Sequence, residues 1–404
     1  MSRYLFINQY YWPDEAATAQ LLADLTEYLA AAGHEVTVVC GRGRYSAAGP
    51  LPAGESWHAG VRIVRVNGTD GGRFSWGGRL SDGITFLAAA WWRMRFLPRH
   101  DVVVAMTSPP WVGRLGVEYH RHHGTPLVSW VQDIYPEIAV KLGVIRNPWV
   151  IRLLERQSAL IGRESARLVA PAEDMRDVLM AHLGERVCVA AIPNWARTDL
   201  IQPGPVRENS FRREKGWLGD RVLMYSGNAG RGHDFDAMLR LTARLHEEMK
   251  NLRFVLVGDT PRHARVAAQA RRMGVTRFTC LPTQSRSRLG EVLGAADAHL
   301  VTQRTETNGL MMPSKFYGIV AAGRPVIYIG PPCSEIGRLV SGNRLGVAVA
   351  PEAAGEKQDV ARVVNMAQDE PGVVEDLRGW AMRNASHEVR LPQFAALLKE
   401  VEKC

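Results

Sequence analysis

The chain is predicted to be an α/β protein of two Rossmann-like, doubly wound domains, and three observations predict it. Tyr4 to Asn8, Ala17 to Ala32 and Val36 to Cys40 read strand, helix, strand with the loop lengths of a βαβ unit. The same alternation restarts at Val222 to Ser226, beyond a polar linker holding Pro and Gly. Finally, Pro313 to Gly330 compresses one helix, a tight turn and a buried strand into a single run. With 404 residues there is enough chain for two ordinary domains, each with its own core. We expect them over 1–200 and 201–404, with the last helix free to pack back on the first.

Taken in order, the first βαβ unit closes its helix at Gly33, where a C-cap belongs. The loop between its strand and helix, Gln9 to Glu15, lies at a strand's carboxyl end, where open parallel sheets bind ligands. Tyr11, Trp12 and Glu15 are therefore expected to line an acceptor site; the alternative is a loop folded down by its own aromatics. Val61 to Val66 is a strand, and Asn67 to Gly78 a mobile Gly-rich loop. Leu80 to Leu97 reads as a helix that is apolar almost all round. Trp91 and Trp92 stand beside Arg93, Arg95 and Arg99, the composition of a helix lying in a membrane interface. A core helix with dipole-complementing arginines is the alternative.

Asp101 to Met106 is a strand, and the helix after Thr107 to Pro110 ends in His120-Arg-His-His-Gly124. Those histidines have ligand-like spacing but no acidic or cysteine partner nearby, so they read as cations at a helix C-terminus. Leu127 to Val131 is a buried strand, followed by Gln132-Asp133-Ile-Tyr-Pro-Glu137. A carboxylate just past a strand end points into the ligand crevice, which makes Asp133 the first catalytic or acceptor-binding candidate and Glu137 the second. A turn-capping role for Asp133 is the alternative. Val150 to Gly162, Arg167 to Ala170, Ala172 to Leu183 and Val187 to Ile192 complete the domain.

In the second half, Val222 to Ser226 runs into Gly227-Asn-Ala-Gly-Arg-Gly-His233. Three glycines there let the amides of Gly227, Asn228 and Gly230 approach a phosphate, with Arg231 and His233 as donors beside them. Asp234-Phe-Asp236 matches a metal-binding pattern by letters only, because acids are favoured in a first helical turn; we assign no metal and no cofactor. Thr302 to Asn308 is a polar loop carrying Glu306 and Asn308. Pro313 is expected at a first helical position, leaving the amides of Ser314, Lys315 and Phe316 to meet an anion, with the Ser314 hydroxyl and Lys315 charge in the same turn. A merely solvated Lys315 is the alternative. Ser334 and Glu335 lie on a further strand-end loop. Lys357 to the C-terminus is helical.

Composition narrows the function. Hydrophobic residues make up 46% and charged ones 23%, as in a globular protein. The net charge of +9 is interspersed: the first 200 residues hold 21 Lys and Arg against 19 Asp and Glu, the rest 29 against 22. That fits an anionic ligand or membrane better than a nucleic-acid track. Five widely spaced cysteines without a CxxC pair read as reduced thiols in a cytoplasmic protein. The start carries no signal-peptide pattern, and no apolar run approaches a spanning helix.

The residues Tyr225-Ser-Gly-Asn-Ala-Gly-Arg-Gly-His-Asp-Phe235, Pro313 to Pro325 and Ser334-Glu-Ile336, with Gly33-His-Glu-Val36 and Pro193-Asn194, resemble family-4 glycosyltransferases of the GT-B fold. The likeness is to the subgroup making O-antigen, colanic-acid and other surface glycans. It implies two Rossmann-like domains facing across a cleft, a nucleotide-sugar donor on the second and an acceptor on the first. It further implies retention at the anomeric carbon and no required metal. UDP is the expected nucleotide and an N-acetylhexosamine one candidate sugar. The expected partners are that donor, a polyprenyl-diphosphate-linked or saccharide acceptor, and an inner-membrane surface met through Leu80 to Arg99; nucleic acid is not among them. Two departures stand out. The family's paired glutamates would fall on Leu310 and Gly318, so Glu306, Asn308 or Glu335 would have to take their contacts, and the histidine of the first domain's cleft strand is replaced by Gln132-Asp133. A nucleotide-sugar 2-epimerase and a catalytically silent binding subunit are the rival readings.

Overall fold

The computed structural model describes residues 1–43, 49–71, 76–184, 186–354 and 371–403. Parts of the expected loop at Asn67 to Gly78 and of the C-terminal helical stretch from Lys357 lie outside them. The chain forms two compact units. The first is Met1–Pro193 with Gly309–Met311 and Arg390–Cys404; the second is Asn194–Asn308 with Met312–Val389.

The first unit holds β1 (Arg3–Ile7), α1 (Ala17–Ala31), β2 (Glu35–Gly41), β3 (Gly54–His58), β4 (Val61–Val66), α2 (Trp76–Met94) and β5 (Val102–Ala105). Then come α3 (Val112–His123), β6 (Leu127–Trp130), α4 (Glu137–Lys141), α5 (Pro148–Glu164), β7 (Arg167–Ala170), α6 (Glu173–Leu183) and β8 (Val189–Ala191). The sheet order is β3-β4-β2-β1-β5-β6-β7-β8, with only β3 antiparallel. Apart from Arg3 at the start of β1, its central strands are buried, as apolar runs require when helices cover both faces. β3 escaped the sequence reading because an edge strand of composition GESWH has no apolar face to recognise.

The second unit begins with α7 (Ser210–Glu214), β9 (Arg221–Ser226), α8 (Phe235–Glu248), β10 (Leu252–Val257), α9 (Pro261–Arg272) and β11 (Phe278–Leu281). It continues with α10 (Leu289–Gly294), β12 (Ala298–Thr302), α11 (Lys315–Ala321), β13 (Val326–Ile329), α12 (Glu335–Gly342), β14 (Gly346–Val349) and α13 (Pro371–Asn384). The final helix, α14 (His387–Val401), starts here and ends among residues of the first unit. All six strands are parallel, in the order β11-β10-β9-β12-β13-β14. Ligand-bearing loops of such a sheet gather where the order reverses, between β9 and β12. β14 was also missed: Gly346 sits at φ +154 with the Val326 carbonyl where a Cβ would be, so close pairing to β13 depends on that glycine.

Candidate active site

In the second unit the chemistry gathers around one lysine. α11 begins at Lys315, with Ser314 already in helical conformation at φ −59 and ψ −23. The expected start at Pro313 is thus two residues early. The Phe316 amide, expected to be open, instead donates to the Pro313 carbonyl at 3.2 Å, which tightens the first turn. Among the described residues the Ser314 and Lys315 amides keep no protein acceptor.

The Lys315 side chain runs back over β9. Its Nζ lies 3.6 Å from the centroid of the Tyr225 ring, shielded from solvent and without a hydrogen-bond partner. A Cβ on Gly227 would sit 3.3 Å from that Nζ, and Gly227 has φ +122, so glycine permits both the loop's course and the ammonium's approach. Desolvation pushes the Lys315 ammonium down to about 7. An unpaired buried cation is costly, and an anion would relieve that cost.

The loop Gly227 to His233 is held from below. Gly227 N–H bonds Val257 O at 3.0 Å and the Tyr225 hydroxyl bonds Asn228 O at 2.9 Å. His263 of α9 accepts from the Thr260 amide at Nδ1, which leaves its Nε2–H for the Gly227 carbonyl at 3.0 Å. Arg262 donates to the Gly230 carbonyl at 2.6 Å and lies over the Phe235 ring. The amides of Asn228, Ala229, Gly230 and Arg231 have no protein acceptor among the described residues. Arg231 itself is exposed. His233 does not supply the expected donor: it is buried, its Nδ1–H is spent on the Thr302 carbonyl at 2.5 Å, and burial holds its imidazole down at about 3 and neutral. Asp234 caps α8 by accepting from the Ala237 amide, which explains its acid without a metal. His263 and Arg262 lie beyond the glycine loop in sequence, and only the pairing of β9 with β10 brings them there.

Three other expected donor-side residues take different places. Glu306 is exposed on a short 3-10 turn, its carboxyl lowered by its own amide and then by Arg304. Asn308 follows that turn, half-buried, its amide bonded to Thr305 O. Ser334 does not face a crevice: it is 2% exposed, caps α12 through the Gly337 amide and donates to the Tyr328 hydroxyl at 2.8 Å. Tyr328 donates on to Gln303, whose amide bonds Thr307 O, so these hydroxyls weld the ends of β12, β13 and α12 together. Glu335, beside it, is half-buried at the first position of α12. Gly318, one of the two positions lacking the family's glutamate, lies mid-way along α11.

In the first unit Asp133 follows β6, half-buried, in an antiparallel bridge to Met311. The neighbouring Ile134 amide bonds the carbonyl of Leu310, the other such position. The turn-capping alternative fails, since α4 follows Pro136 without a side-chain cap and Asp133 has no side-chain partner among the described residues. Desolvation raises its carboxyl to about 6. Glu137 opens α4, with one oxygen 3.1 Å from His182 and the other buried and unpartnered.

The aromatic loop corrects the sequence expectation in part. Tyr11 is core, 3% exposed, with its hydroxyl on Thr26 of α1. Trp12 is exposed and stacked on His58 at 3.7 Å, and Glu15 is exposed. The loops after β1, β2 and β4 instead wall a recess lined by Gln9, Tyr10, Arg42, Thr69, Asp70 and Asp82. None of its charged residues was singled out in the sequence, because Arg42 and Asp70 come from two separate loops and Asp82 from α2. The Leu80 to Arg99 stretch also divides: Phe86, Ala90, Met94 and Leu97 enter the core, while Ile84, Trp91, Trp92 and Phe96 stay exposed.

An open doubly wound parallel sheet is an architecture in which ligands meet strand-end loops, and comparison narrows the class. Residues 17–195 match the model of the glycosyl transferase 4-like domain. WbjE of Pseudomonas aeruginosa, named as a probable glycosyltransferase, is 28% identical over 253 residues, 61% of this chain and 62% of its own. WcaI of Escherichia coli, named for a colanic acid biosynthesis glycosyl transferase, is 28% identical over 168 residues, 41% of each chain. The chain thus spans less than two thirds of either relative. Among solved structures, HepE of Anabaena, crystallised with UDP and glucose, superimposes with TM-score 0.72 at 15% identity over 99% of this chain and 100% of its own. The architecture is GT-B, and over residues 17–195 the chain is similar to the glycosyl transferase 4-like domain.

Proposed function

We propose that the protein moves a sugar from a UDP-sugar to a lipid-linked saccharide acceptor in surface-glycan biosynthesis, with retention at the anomeric carbon and no required metal. The observation that carries this is the Lys315 ammonium, buried, unpartnered and aimed between Tyr225 and Gly227 beside a row of open amides. In this reading Lys315, Arg231, Ser314 and the amides from Asn228 to Arg231 bind the donor diphosphate and stabilise the charge that develops on it as the glycosidic bond breaks, whereas the Gly227 amide, expected to join them, is spent on Val257. Each such donor is worth about 3 kcal/mol in a water-excluded site. Asp133 orients the acceptor hydroxyl and, when ionised, eases its proton loss by accepting its hydrogen bond. The departing phosphate oxygen takes the proton in a front-face attack. Glu306, Asn308 and Glu335 are the proposed sugar and ribose contacts; Trp12, Glu15, Glu137 and the recess around Arg42 are the proposed acceptor contacts. HepE's UDP and glucose support a uridine donor, WcaI's name supports a surface-glycan product, and the exposed Trp91, Trp92 and Phe96 support a membrane-borne acceptor.

The test is release of nucleoside diphosphate from UDP-, GDP- and dTDP-sugars, with and without membrane lipid extract, EDTA present throughout. Lipid-dependent release from one UDP-sugar, abolished in Lys315→Ala, is the expected result. The apolar Leu310 and the helical Gly318 favour one second reading, a donor-binding subunit without turnover. Tight donor binding with no release under any acceptor would establish that instead.

A further inference from the structure

Among the described residues of the first unit, some surface arginines pair with carboxylates, Arg62 and Arg93 with Glu55, Arg114 with Glu118 and Arg121 with Glu164, and others do not. Two of the latter stand on one face of α5. Its start is fixed by Asn147, which accepts from the Trp149 and Val150 amides, so the first turns are preformed. Trp149, Arg152, Leu153 and Arg156 follow at i, i+3, i+4 and i+7 and share one face. Trp149 is 76% exposed and Leu153 56%, values that a core helix would not leave standing. Neither Arg152 nor Arg156 has a carboxylate partner among the described residues.

We propose that this face of α5 is a docking surface for an anionic lipid bilayer, distinct from the α2 segment. Trp and Leu enter the headgroup boundary while the two arginines meet lipid phosphates, the arrangement an interfacial helix requires. α5 and α2 both pack on α3, so the two tryptophan-bearing helices share that neighbour. A second copy of the chain is the poorer occupant: a two-fold contact through this face would set arginines against arginines. The inference rests on the reading that the acceptor is membrane-borne, but its test does not pass through sugar transfer.

Full-length protein is sedimented with vesicles of phosphatidylcholine alone or with about a third phosphatidylglycerol. Wild type is expected to bind the anionic vesicles, more weakly as salt is raised. Trp149→Ser/Leu153→Ser is expected to lower the partition about tenfold or more, at unchanged melting temperature because both sites are exposed. Arg152→Gln/Arg156→Gln lowers it and flattens the salt dependence, while Trp92→Ser/Phe96→Ser reports the α2 segment separately. Wild-type partition in both α5 variants would overturn the proposal. So would a wild-type dimer that Trp149→Ser/Leu153→Ser dissociates without changing vesicle binding. Vesicle binding that persists when no nucleotide-sugar binds would leave this inference standing and remove the enzymatic one.

Discussion

The Nζ of Lys315 stands 3.6 Å from the centre of the Tyr225 ring, with the φ +122 backbone of Gly227 beside it. The ring face offers partial compensation for the ammonium's lost hydration, and a carboxylate that would have neutralised it is missing among the described residues. The cation is thus held ready for a charge that the protein does not itself provide.

Lys315→Met tests that state twice. The ammonium's value of about 7 in the folded chain lies below its usual 10.5. Between those values the unfolded chain binds more protons, so this group makes stability rise with pH from about 7 to about 10.5; below 7 its penalty is fully present. Removing it is expected to raise stability at pH 7 by ~1 kcal/mol or more while donor binding collapses. Melting curves across pH and nucleotide titration calorimetry read the two effects. A variant as pH-dependent as wild type would show that Lys315 is not the buried cation.

Gly227→Ala places a methyl at φ +122 and 3.3 Å from the Lys315 ammonium. We expect a stability loss of ~1–3 kcal/mol from the strained backbone and a larger relative loss of donor affinity. Donor affinity equal to wild type would separate the glycine from the site.

Asp133→Asn is expected to lower turnover about 10²–10⁴-fold with donor binding intact. In wild type, turnover should rise with pH through about 6 as the carboxyl ionises, and the variant should lose that limb. Its stability has the opposite slope: the folded chain holds the proton between 3.8 and about 6, so this group's contribution falls as pH rises through that window. Rate profiles on a saturating donor decide the matter.

Ser334→Ala removes a helix cap and a buried partner of Tyr328. A loss of ~1–2 kcal/mol is expected, with nucleotide affinity within a few-fold of wild type. A large affinity loss at unchanged stability would restore the ligand role that its position in sequence suggested.

Much of this was legible in the residue order. Strand and helix alternation, the glycines between β9 and α8, and the run from Pro313 to Gly330 are local patterns, set by backbone freedom and side-chain periodicity, and the architecture follows from them. The sites divide differently. Lys315 and the amides of Asn228 to Gly230 could be picked out as phosphate-binding candidates because a charge and open amides in a turn are local features. Tyr11 and Ser334 were misjudged because burial depends on what packs opposite, and α1 and Tyr328 are remote in sequence from them. His263, Arg262 and the recess at Arg42, Asp70 and Asp82 carried no local signal at all. Parallel pairing joins loops that lie tens of residues apart, so which polar groups meet, and which lose water, was decided only when the sheets closed.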